Sequence, residues 1–478
     1  MNTRNAGKNV AGEPTAGPEG WGLLGLLAAA QLMLVLDVTV ANVALPDIGT
    51  ALGLAGSRLA WVITAYSVCF GGLLMLGGKL TDVLGGRRML LAGLFLFTAA
   101  SLASGLATDG AALIGARAVQ GVGAAVLSPA ALSIVMGAYQ GARRNRALGI
   151  WAAIGAAGAG LGVMLGGMLT SGPGWRWAFF INVPIGIALL IVLRAVAPSA
   201  RPVRGTARPD VLGALAVTGA ASLLIYGMVQ AGSVGWGAPS SWVSLLASAA
   251  LTVAFVLVEH HAAAPLLSPA LMRRRALTAG GAVMVGASGI LLGGFFLSSL
   301  YLQRQLGLSA MTTGMLFMPV TMATMIGAHL SANVIPRFGW RPIAAAGFAL
   351  AGAGALLLTR LPAHGDAKTV LLPGFMLIGL GAGAGFVCAT MAATAAAASH
   401  ESGTVSAWVN TGHELGGAIG IGAASALALT RTGTASPVVG YHTAFLGAAI
   451  LALAAAVVAP LLLPAGRPDP ASGPIRIH

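Results

Sequence analysis

The residues of this chain that could do chemistry are a few charged or polar side chains inside long apolar segments. Asp37 lies in the middle of AAAQLMLVLDVTVANVALPDIG (residues 28–49), where an unpaired carboxylate would be costly. Arg117 lies in another apolar segment, with Gln120 about one helical turn away on the same face. Ionisable groups inside spans usually belong to an ion or proton pathway. These side chains therefore indicate a site that handles protons or cations.

Asp37 and Arg117 are predicted to lie at matching depth. At 1.5 Å per residue, Asp37 and Arg117 each lie roughly 10 Å below the outer membrane surface, so the two side chains are able to pair. One interpretation is a structural ion pair that locks two helices. The other is a proton-coupled site, because desolvation favours the protonated carboxyl group while a nearby arginine favours the ionised form.

A second acidic group, Glu414, lies about ten residues into an apolar segment of the second half, next to His413. Glu414 is predicted near mid-membrane, either in the proton and substrate path or as a mouth-facing carboxylate in a wet cavity. His413 is either its proton partner or a neutral hydrogen-bonding residue. Apolar walls beside a carboxylate would accept a cationic drug. The side chains predicted to form them are Trp408, Phe295, Phe296 and Met315.

The composition predicts which elements must position these groups. Of 478 residues, 57% are hydrophobic and only 8% are charged, whereas a soluble domain has about 25% charged residues. Apolar runs of roughly 20 residues recur along the chain, each long enough to cross a bilayer. The net charge of +14 does not indicate nucleic-acid binding, because most basic residues lie in short loops between the runs. The chain is therefore predicted to be a polytopic helical membrane protein.

Fourteen spans are predicted, with short loops between most of them. Their limits are 21–45, 59–79, 89–107, 111–137, 147–170, 176–197, 211–231, 242–260, 277–302, 312–335, 342–360, 369–396, 404–430 and 443–464. The predicted organisation is a tail, a six-helix bundle, two extra central spans, a second six-helix bundle and a tail. These are residues 1–20, 21–197, 211–260, 277–464 and 465–478.

The basic residues predict the orientation of the spans. One side of the predicted topology holds 19 of the 26 Lys and Arg residues, the other side holds six, and Arg117 lies inside a span. Positively charged loops stay in the cytoplasm. Both termini are therefore predicted to be cytoplasmic, which agrees with an even number of spans.

Two loops repeat the same short pattern. GGKLTDVLGGRRM (77–89) and NVIPRFGWRPI (333–343) align Gly85 and Arg87 with Gly339 and Arg341, at a spacing of 254 residues. Duplicated halves are typical of secondary transporters. The pattern therefore favours two related six-helix halves.

Several apparent motifs are better explained as parts of spans. The glycine-rich runs around 157–162 and 379–386 follow no predicted strand, so helix packing explains them better than nucleotide binding. HELGG lacks the second histidine of a zinc-protease helix. Cys69 and Cys388 fall inside apolar segments and form no metal spacing. No cofactor, metal site or enzymatic centre is predicted.

Taken together, the motifs resemble the major facilitator superfamily, and within it the fourteen-span drug:proton antiporter branch. The resemblance covers nearly the whole chain. It is carried by LDVTVANVALPDI (36–48), GGKLTDVLGGRR (77–88), RAVQGVGAA (117–125), GAAGAGLGVMLGGMLTSGPGWRWAFFINVPIG (155–186) and PLLSPALMRRRAL (265–277).

The resemblance implies a fold of two six-helix bundles and an exporter that works by alternating access. It implies that Arg117 takes part in a proton relay and Asp37 in proton or cation handling. A conformational switch loop is implied at Gly78, Asp82, Gly85, Arg87 and Arg88, with Gly339 and Arg341 in the second half. A helix-packing motif of antiporters is implied at Gly158, Gly160, Gly162, Gly166 and Gly167.

The predicted function is proton-driven efflux of amphipathic or cationic small molecules across the cytoplasmic membrane, by a monomer without a cofactor. Two positions depart from the family pattern. Val83 replaces a basic residue in the loop, and Val163 replaces the proline of the fifth span. The missing proline favours an alternative, a proton-coupled uptake symporter of the same fold. A membrane sensor or enzyme is the remaining alternative.

Overall fold

The computed structural model describes most of the spans and their short loops. The described residues are 21–54, 57–139, 141–197, 210–262, 265, 269–363, 365, 367–395, 402–429 and 438–465. The predicted tail 1–20 and all but the first residue of the predicted tail 465–478 lie outside this part of the chain.

Fourteen long helices make up the described chain, and no strand occurs in those ranges. They are α1 Trp21–Ala51, α2 Ser57–Leu84, α3 Gly86–Leu106, α4 Gly110–Ala138, α5 Gly141–Ser171, α6 Trp177–Val196, α7 Val211–Ser233, α8 Pro239–His261, α9 Arg275–Gln305, α10 Ala310–Phe338, α11 Trp340–Leu358, α12 Lys368–Ala395, α13 Ser402–Leu429 and α14 Val438–Leu462. A short helix, Pro269–Met272, precedes α9. Two of the long helices are irregular: α6 breaks at Ile181, and α9 ends in a π-helical turn, Tyr301–Gln305.

Twelve of the fourteen helices are long and apolar enough to cross a membrane. The other two are α5, whose described apolar part is Gly160–Ser171, and α13, which carries Asn410, His413 and Glu414 among its apolar residues. The predicted class, an all-helical integral membrane protein, is therefore confirmed.

The first and last six helices pack in the same way. In the first half, α4 packs against α2 and α3, and α1 packs against α5. In the second half, α12 packs against α10 and α11, and α9 packs against α13. We call α1–α6 the first bundle and α9–α14 the second bundle. Helices α1, α2 and α4 thus correspond to α9, α10 and α12.

The corresponding loops share one device. Gly85 precedes α3 with φ of 94°, and Gly339 precedes α11 with φ of 81°, a region that glycine adopts without strain. Two residues later, Arg87 donates to the carbonyl of Arg194 near the end of α6. Arg341 Nε likewise donates to Leu463 O just beyond α14, at 2.9 Å. Each arginine satisfies the unpaired carbonyls at a helix C-terminus, which also favours positive charge.

Glycines let α5 approach two helices at once. Gly158, Gly162 and Gly166 are spaced by four residues and face α1, where a Cβ on Gly162 would overlap Thr39. Gly160 and Gly167 face α10 of the second bundle. The motif therefore joins α5 to its own bundle on one face and to the other bundle on another.

The two bundles meet along two seams, α2 with α13 and α5 with α10. The central helix α7 covers the first seam, because it packs against both α2 and α13, and α8 packs behind it. Thr218 of α7 lies at Gly72 of α2, and Ile225 of α7 lies at Gly422 of α13. No described helix covers the α5–α10 seam in this way.

The bundles are hydrogen-bonded to each other at one end. We call this end the closed face, where α1 ends, and the other end the terminal face, where α1 begins and α14 ends. Ser299 Oγ donates to Asn42 O at 3.1 Å, and Gln303 Nε2 donates to Val43 O at 2.9 Å. Two further bonds at this face are Arg304 Nη2 to Leu54 O and Met311 N to Ser171 Oγ. These contacts seal the molecule at the closed face.

Candidate transport site

Asp37 and Arg117 form a fully buried ion pair inside the first bundle. Arg117 Nη1 contacts Asp37 Oδ2, and the two side chains are fully shielded. In the part of the chain that the structure describes, no other ion pair is present. Burial removes both groups from water, so their charges depend on each other and on neighbouring dipoles.

Neutral side chains complete the shell around the Asp37 carboxylate. Gln120 Nε2 and Asn182 Nδ2 both donate to Asp37 Oδ1, at 2.7 and 2.9 Å. Gln120 Oε1 accepts from Arg117 Nη1 at 2.7 Å, and Ser101 Oγ lies 2.8 Å from Gln120 Nε2. The carboxylate thus accepts from one charged donor, Arg117, and two neutral donors, Gln120 and Asn182.

The break in α6 places Asn182 in this shell. The first piece of α6 ends at Phe180, Ile181 links the pieces, and Asn182 begins the second, Asn182–Val196. Pro184 lies in the first turn of that second piece, where its missing N–H would have no intrahelical acceptor. Asn182 is only 1% exposed and is directed at α1.

Arg117 is held from three further directions. Its Nε donates to Val62 O of α2 at 3.0 Å. Its guanidinium carbon lies 4.4 Å from the centre of the Tyr66 ring and 5.6 Å from that of Phe179. Aromatic faces attract a desolvated cation by up to about 2 kcal/mol. The arginine therefore has three contacts that do not involve Asp37.

Glu414 and His413 occupy the second bundle at mid-depth, on different faces of α13. The Glu414 side chain lies where α13 meets α2, with Gly71 of α2 against its Cβ. The Nδ1 atom of His413 lies 2.6 Å from Ser288 Oγ of α9, and its ring is edge-on to Phe386. The two residues are neighbours in sequence, yet they face different helices.

A cavity of ≈ 280 Å³ lies beside His413, between α9, α12 and α13. It is in the half of the bundle near the terminal face, because Thr394 and Ser406 stand close to the helix ends there. Its polar lining consists of Thr390, Thr394, Ser406, Asn410 and His413, and its apolar lining of Met284, Phe386 and Val409. This lining suits a ligand with both apolar and hydrogen-bonding parts.

The four predicted cavity walls do not gather around Glu414, which corrects that prediction. Phe295 packs with Phe317 and Phe375 in the core of the second bundle, and Phe296 is buried in the same core. Met315 is 51% exposed on the surface of α10. Trp408 donates to Leu277 O at 3.1 Å. The sequence identified these four side chains as apolar, but the rotation of each helix about its own axis points them to separate parts of the molecule.

The predicted switch loop lies at the terminal face. Asp82 is exposed, and no described basic residue forms an ion pair with it. Gly78 lies near Pro129 of α4, and Arg88 is exposed. Arg87 acts within its own bundle, where it caps α6. The described contacts of Gly78 and Arg87 thus lie within the first bundle.

Three residues of the buried shell escaped the sequence analysis: Ser101, Asn182 and Tyr66. Serine is too common in spans to stand out. Asn182 had a usable signal, because a carboxamide inside an apolar span, here two residues before Pro184, is costly to bury unless it is hydrogen-bonded. Tyr66 had none, because an aromatic residue in a span is most often packing.

Within the described ranges, no group of three His, Cys, Asp or Glu residues is placed to hold a metal ion.

Comparison with known proteins points to one family. The model of the Major Facilitator Superfamily matches residues 27–421 and 300–476. A puromycin resistance protein of Streptomyces alboniger is 39% identical over 406 residues, covering 84% of this chain and 80% of its own. A cephamycin export protein of Amycolatopsis lactamdurans is 36% identical over 454 residues, covering 93% of both chains.

Solved structures show the same fold. The crystal structure of a POT family transporter superposes with a TM-score of 0.67 over 93% of this chain and 98% of its own, at 15% identity. A peptide transporter bound to alafosfalin gives a TM-score of 0.66, at 18% identity.

Proposed function

The chain belongs to the Major Facilitator Superfamily, and we propose that it exports amphipathic drugs or antibiotics in exchange for protons. The observation that carries this proposal is the buried Asp37–Arg117 pair, whose carboxylate also accepts hydrogen bonds from Gln120 and Asn182. The named relatives support the substrate class, since they are resistance and export proteins for antibiotics.

The distribution of basic residues supports a cytoplasmic terminal face, and hence cytoplasmic termini. The closed face is then external. With this orientation we infer an inward-facing state, because the hydrogen bonds between α1 and α9 join the bundles at the external end. Substrate enters from the cytoplasmic half, where the His413 cavity lies.

The proton cycle rests on competition for Asp37. In the inward-facing state the carboxylate is ionised and holds Arg117, Gln120 and Asn182. When water reaches the site from outside, a proton neutralises Asp37 and weakens its attraction for Arg117. The shell then rearranges between α1, α4 and α6. A proton thus biases the equilibrium between the two conformations.

Glu414 supplies the second charge of the cycle. It lies on the α2–α13 seam, which joins the bundles, and it is partly exposed. A cationic substrate is attracted to its carboxylate, whereas the cavity beside His413, on another face of α13, offers a separate place for uncharged molecules.

Flux through inverted vesicles tests the function. With an acid interior imposed, we expect vesicles to accumulate a fluorescent cationic drug, and Asp37→Asn to abolish this accumulation. The matched control is Asp47→Asn, an exposed carboxylate on the same helix. If the drug moved down its own gradient at a rate that did not depend on the pH gradient, that result would contradict proton exchange. Proton-driven movement in the opposite direction would identify an uptake symporter.

The role of Glu414 is tested by selectivity. Glu414→Gln keeps the shape of the side chain and removes its charge, so efflux of a cationic drug should fall more than that of a neutral one of similar size. Both rates are measured at equal protein level. An unchanged ratio of the two rates removes Glu414 from the substrate site.

Orientation is tested separately. A single cysteine at position 270, between α8 and α9, should resist a membrane-impermeant maleimide in intact cells and react in inverted vesicles. The opposite pattern would reverse the assignment of the two faces.

A further inference from the structure

The cavity beside His413 is built from matching faces of two helices, with α9 behind them. Side chains four residues apart lie on one face of a helix, so α12 and α13 each turn one face toward the cavity. These faces carry Phe386, Thr390 and Thr394 of α12 and Val409, Asn410 and His413 of α13. Thr390, Thr394 and Asn410 are exposed, so the cavity is open to small molecules.

The lining of this cavity favours uncharged molecules. None of the described residues that line it is Asp, Glu, Lys or Arg. An ion that leaves water without meeting an opposite charge is costly to bury. Glu414 follows His413 in the chain, but it lies on a different face of α13, against Gly71 of α2. The cavity and the Glu414 carboxylate therefore suit ligands of different charge.

The size and the apolar part of the lining fit an aromatic ring. The volume of ≈ 280 Å³ is close to the lower limit of drug sites, which is about 300 Å³. Phe386 supplies an aromatic ring and Met284 a flexible thioether, and both groups pack well against aromatic ligands. The cavity therefore takes one ring system, either a small molecule or part of a larger drug.

His413 offers such a ligand a ring nitrogen that is otherwise unused. Its Nδ1 lies 2.6 Å from Ser288 Oγ, and Ser288 is 0% exposed. No described residue bonds to its Nε2. The hydroxyl groups of Thr390 and Thr394 already donate to carbonyl groups of their own helix, at 2.9 and 2.7 Å. Nε2 is therefore the ring nitrogen left for a polar group of the ligand.

Ser288 allows this nitrogen to donate or to accept. Its hydroxyl group has two acceptors within reach, His413 Nδ1 at 2.6 Å and Met284 Sδ at 3.8 Å. When the hydroxyl donates to Nδ1, the proton of the neutral ring is on Nε2, which then donates. When the hydroxyl turns to Met284 Sδ, its oxygen accepts from Nδ1–H, and Nε2 accepts. The ring proton exchanges between the nitrogens through water, so the charge of the site does not change.

We propose that this cavity binds uncharged aromatic molecules and that His413 selects those with a hydrogen-bonding group, whether donor or acceptor. The proposal rests on the proposed export function and divides its substrates into neutral ones beside His413 and cationic ones at Glu414. Ser288 is a positioning residue, because it holds the imidazole and sets the position of the ring proton.

Binding is measured without transport, as protection of a cysteine from alkylation. Thr394→Cys, in the exposed part of the lining, reacts with N-ethylmaleimide in the full-length protein in lipid nanodiscs and is read at that residue by mass spectrometry. The probes are four naphthalenes: 1-naphthol as donor, 1-acetylnaphthalene as acceptor, 1-ethylnaphthalene with neither group, and the 1-naphthylmethylammonium cation. The three neutral probes should protect the cysteine. Protection by the cation as strong as that by 1-naphthol would overturn the assignment to uncharged ligands.

His413→Leu tests the selecting residue, and each probe is compared with itself so that its partition into lipid cancels. The half-protecting concentrations of 1-naphthol and 1-acetylnaphthalene should rise roughly tenfold, near the upper limit for one neutral hydrogen bond, while that of 1-ethylnaphthalene stays within about twofold. The matched control is His329→Leu, an exposed histidine of α10 that bonds Asn333 of its own helix at 3.1 Å. An equal change for all three neutral probes in His413→Leu would show a merely structural role and overturn the proposal.

Ser288→Ala gives the same test if His413→Leu does not fold. It should raise the half-protecting concentrations of 1-naphthol and 1-acetylnaphthalene roughly threefold and leave that of 1-ethylnaphthalene unchanged, as expected for loss of a weaker, positioning hydrogen bond. Unchanged values for the two polar probes overturn the proposal.

The site and the export function fail in different ways. Absence of protection by 1-naphthol and 1-acetylnaphthalene removes the site, whatever the transport rate. Protection that follows the expected pattern, in a protein without pH-driven flux, supports the site and contradicts export.

Discussion

The same three helices carry opposite chemistry in the two bundles. In the first bundle, α1, α2 and α4 enclose Asp37, Tyr66 and Arg117. In the second bundle, the corresponding α9, α10 and α12 enclose Phe295, Phe317 and Phe375. The three rings pack edge to face, with centroids 4.8–5.5 Å apart. One core is polar and charged, and the other is aromatic.

On the proposed function, this difference separates proton coupling from structural support. Each edge-to-face aromatic pair adds about 0.5–1.5 kcal/mol beyond its buried area, so the second core is a stable scaffold that no proton affects. The first core holds a charge pair whose net stabilisation is small, because desolvation opposes the attraction. Corresponding helices of a duplicated fold can thus hold a proton-sensitive site in one bundle and a purely structural core in the other.

The largest effect is expected from breaking the polar core. Arg117→Ala leaves Asp37 buried without its counter-charge and removes the stack on Tyr66. Losing one partner of a buried pair costs about 3–5 kcal/mol. Protein level and thermal stability should fall, and pH-driven efflux should be lost entirely.

The double variant Asp37→Asn with Arg117→Gln sharpens this result. It should recover much of the protein level, because no unpaired charge remains, but it should not recover coupling. Coupled efflux by the double variant at the rate of the unmodified protein would leave the pair with a structural role only.

The aromatic core should respond in the opposite sense. Phe317→Ala opens a cavity among Phe295 and Phe375 and should cost about 3–5 kcal/mol of stability. The protein that remains folded should keep its ratio of pH-driven to downhill transport. Thermal unfolding in detergent and vesicle flux at equal protein level measure the two effects, and a changed ratio would place coupling in both cores.

A smaller effect is expected from Asn182→Ala in the polar core. It removes one neutral donor from Asp37 Oδ1 and leaves Gln120 and Arg117 in place. The expected cost is about 1–3 kcal/mol, and the pH profile of transport should shift while the maximal rate stays similar. An unshifted profile, measured beside Ser101→Ala, would restrict the site to Asp37, Arg117 and Gln120.

The smallest effect should come from a part that the two bundles share. Arg87→Gln and Arg341→Gln each weaken a helix C-cap, which costs about 0.3–1 kcal/mol. Because the device is the same in both halves, the two variants should have similar melting temperatures. Loss of transport by Arg87→Gln alone, at normal stability, would show that this loop acts differently in the two bundles.

The sequence predicted the fold well because hydrophobic length and spacing determine it. Asp37 and Arg117 were assigned to one depth from their distance to the span ends, and the structure places them in contact. The glycines of α5 were identified as a packing motif, and they pack on α1 and α10. For Asp37 and Arg117 the signal was the cost of a charged group inside a membrane. For the glycines it was the resemblance to the packing motif of antiporters.

The cavity could not be predicted in the same way. Phe295 and Met315 have residue types that suit a drug site, but the rotation of α9 and α10 directs one into a core and the other to the surface. Helix rotation depends on contacts between distant segments, such as Gly314 of α10 with Val163 of α5. Such contacts leave no periodic trace in one sequence.

Helix α7 gives the two seams different mechanics. Along α2 and α13 it packs against both bundles, at Gly72 and Gly422, and so connects them. Among the described helices, none connects α5 and α10 in the same way. We therefore expect the bundles to move about an off-centre axis near α7, with the widest travel at the α5–α10 edge. We expect acyl chains to contact that edge, so that the stiffness and thickness of the surrounding bilayer oppose the motion mainly on that side.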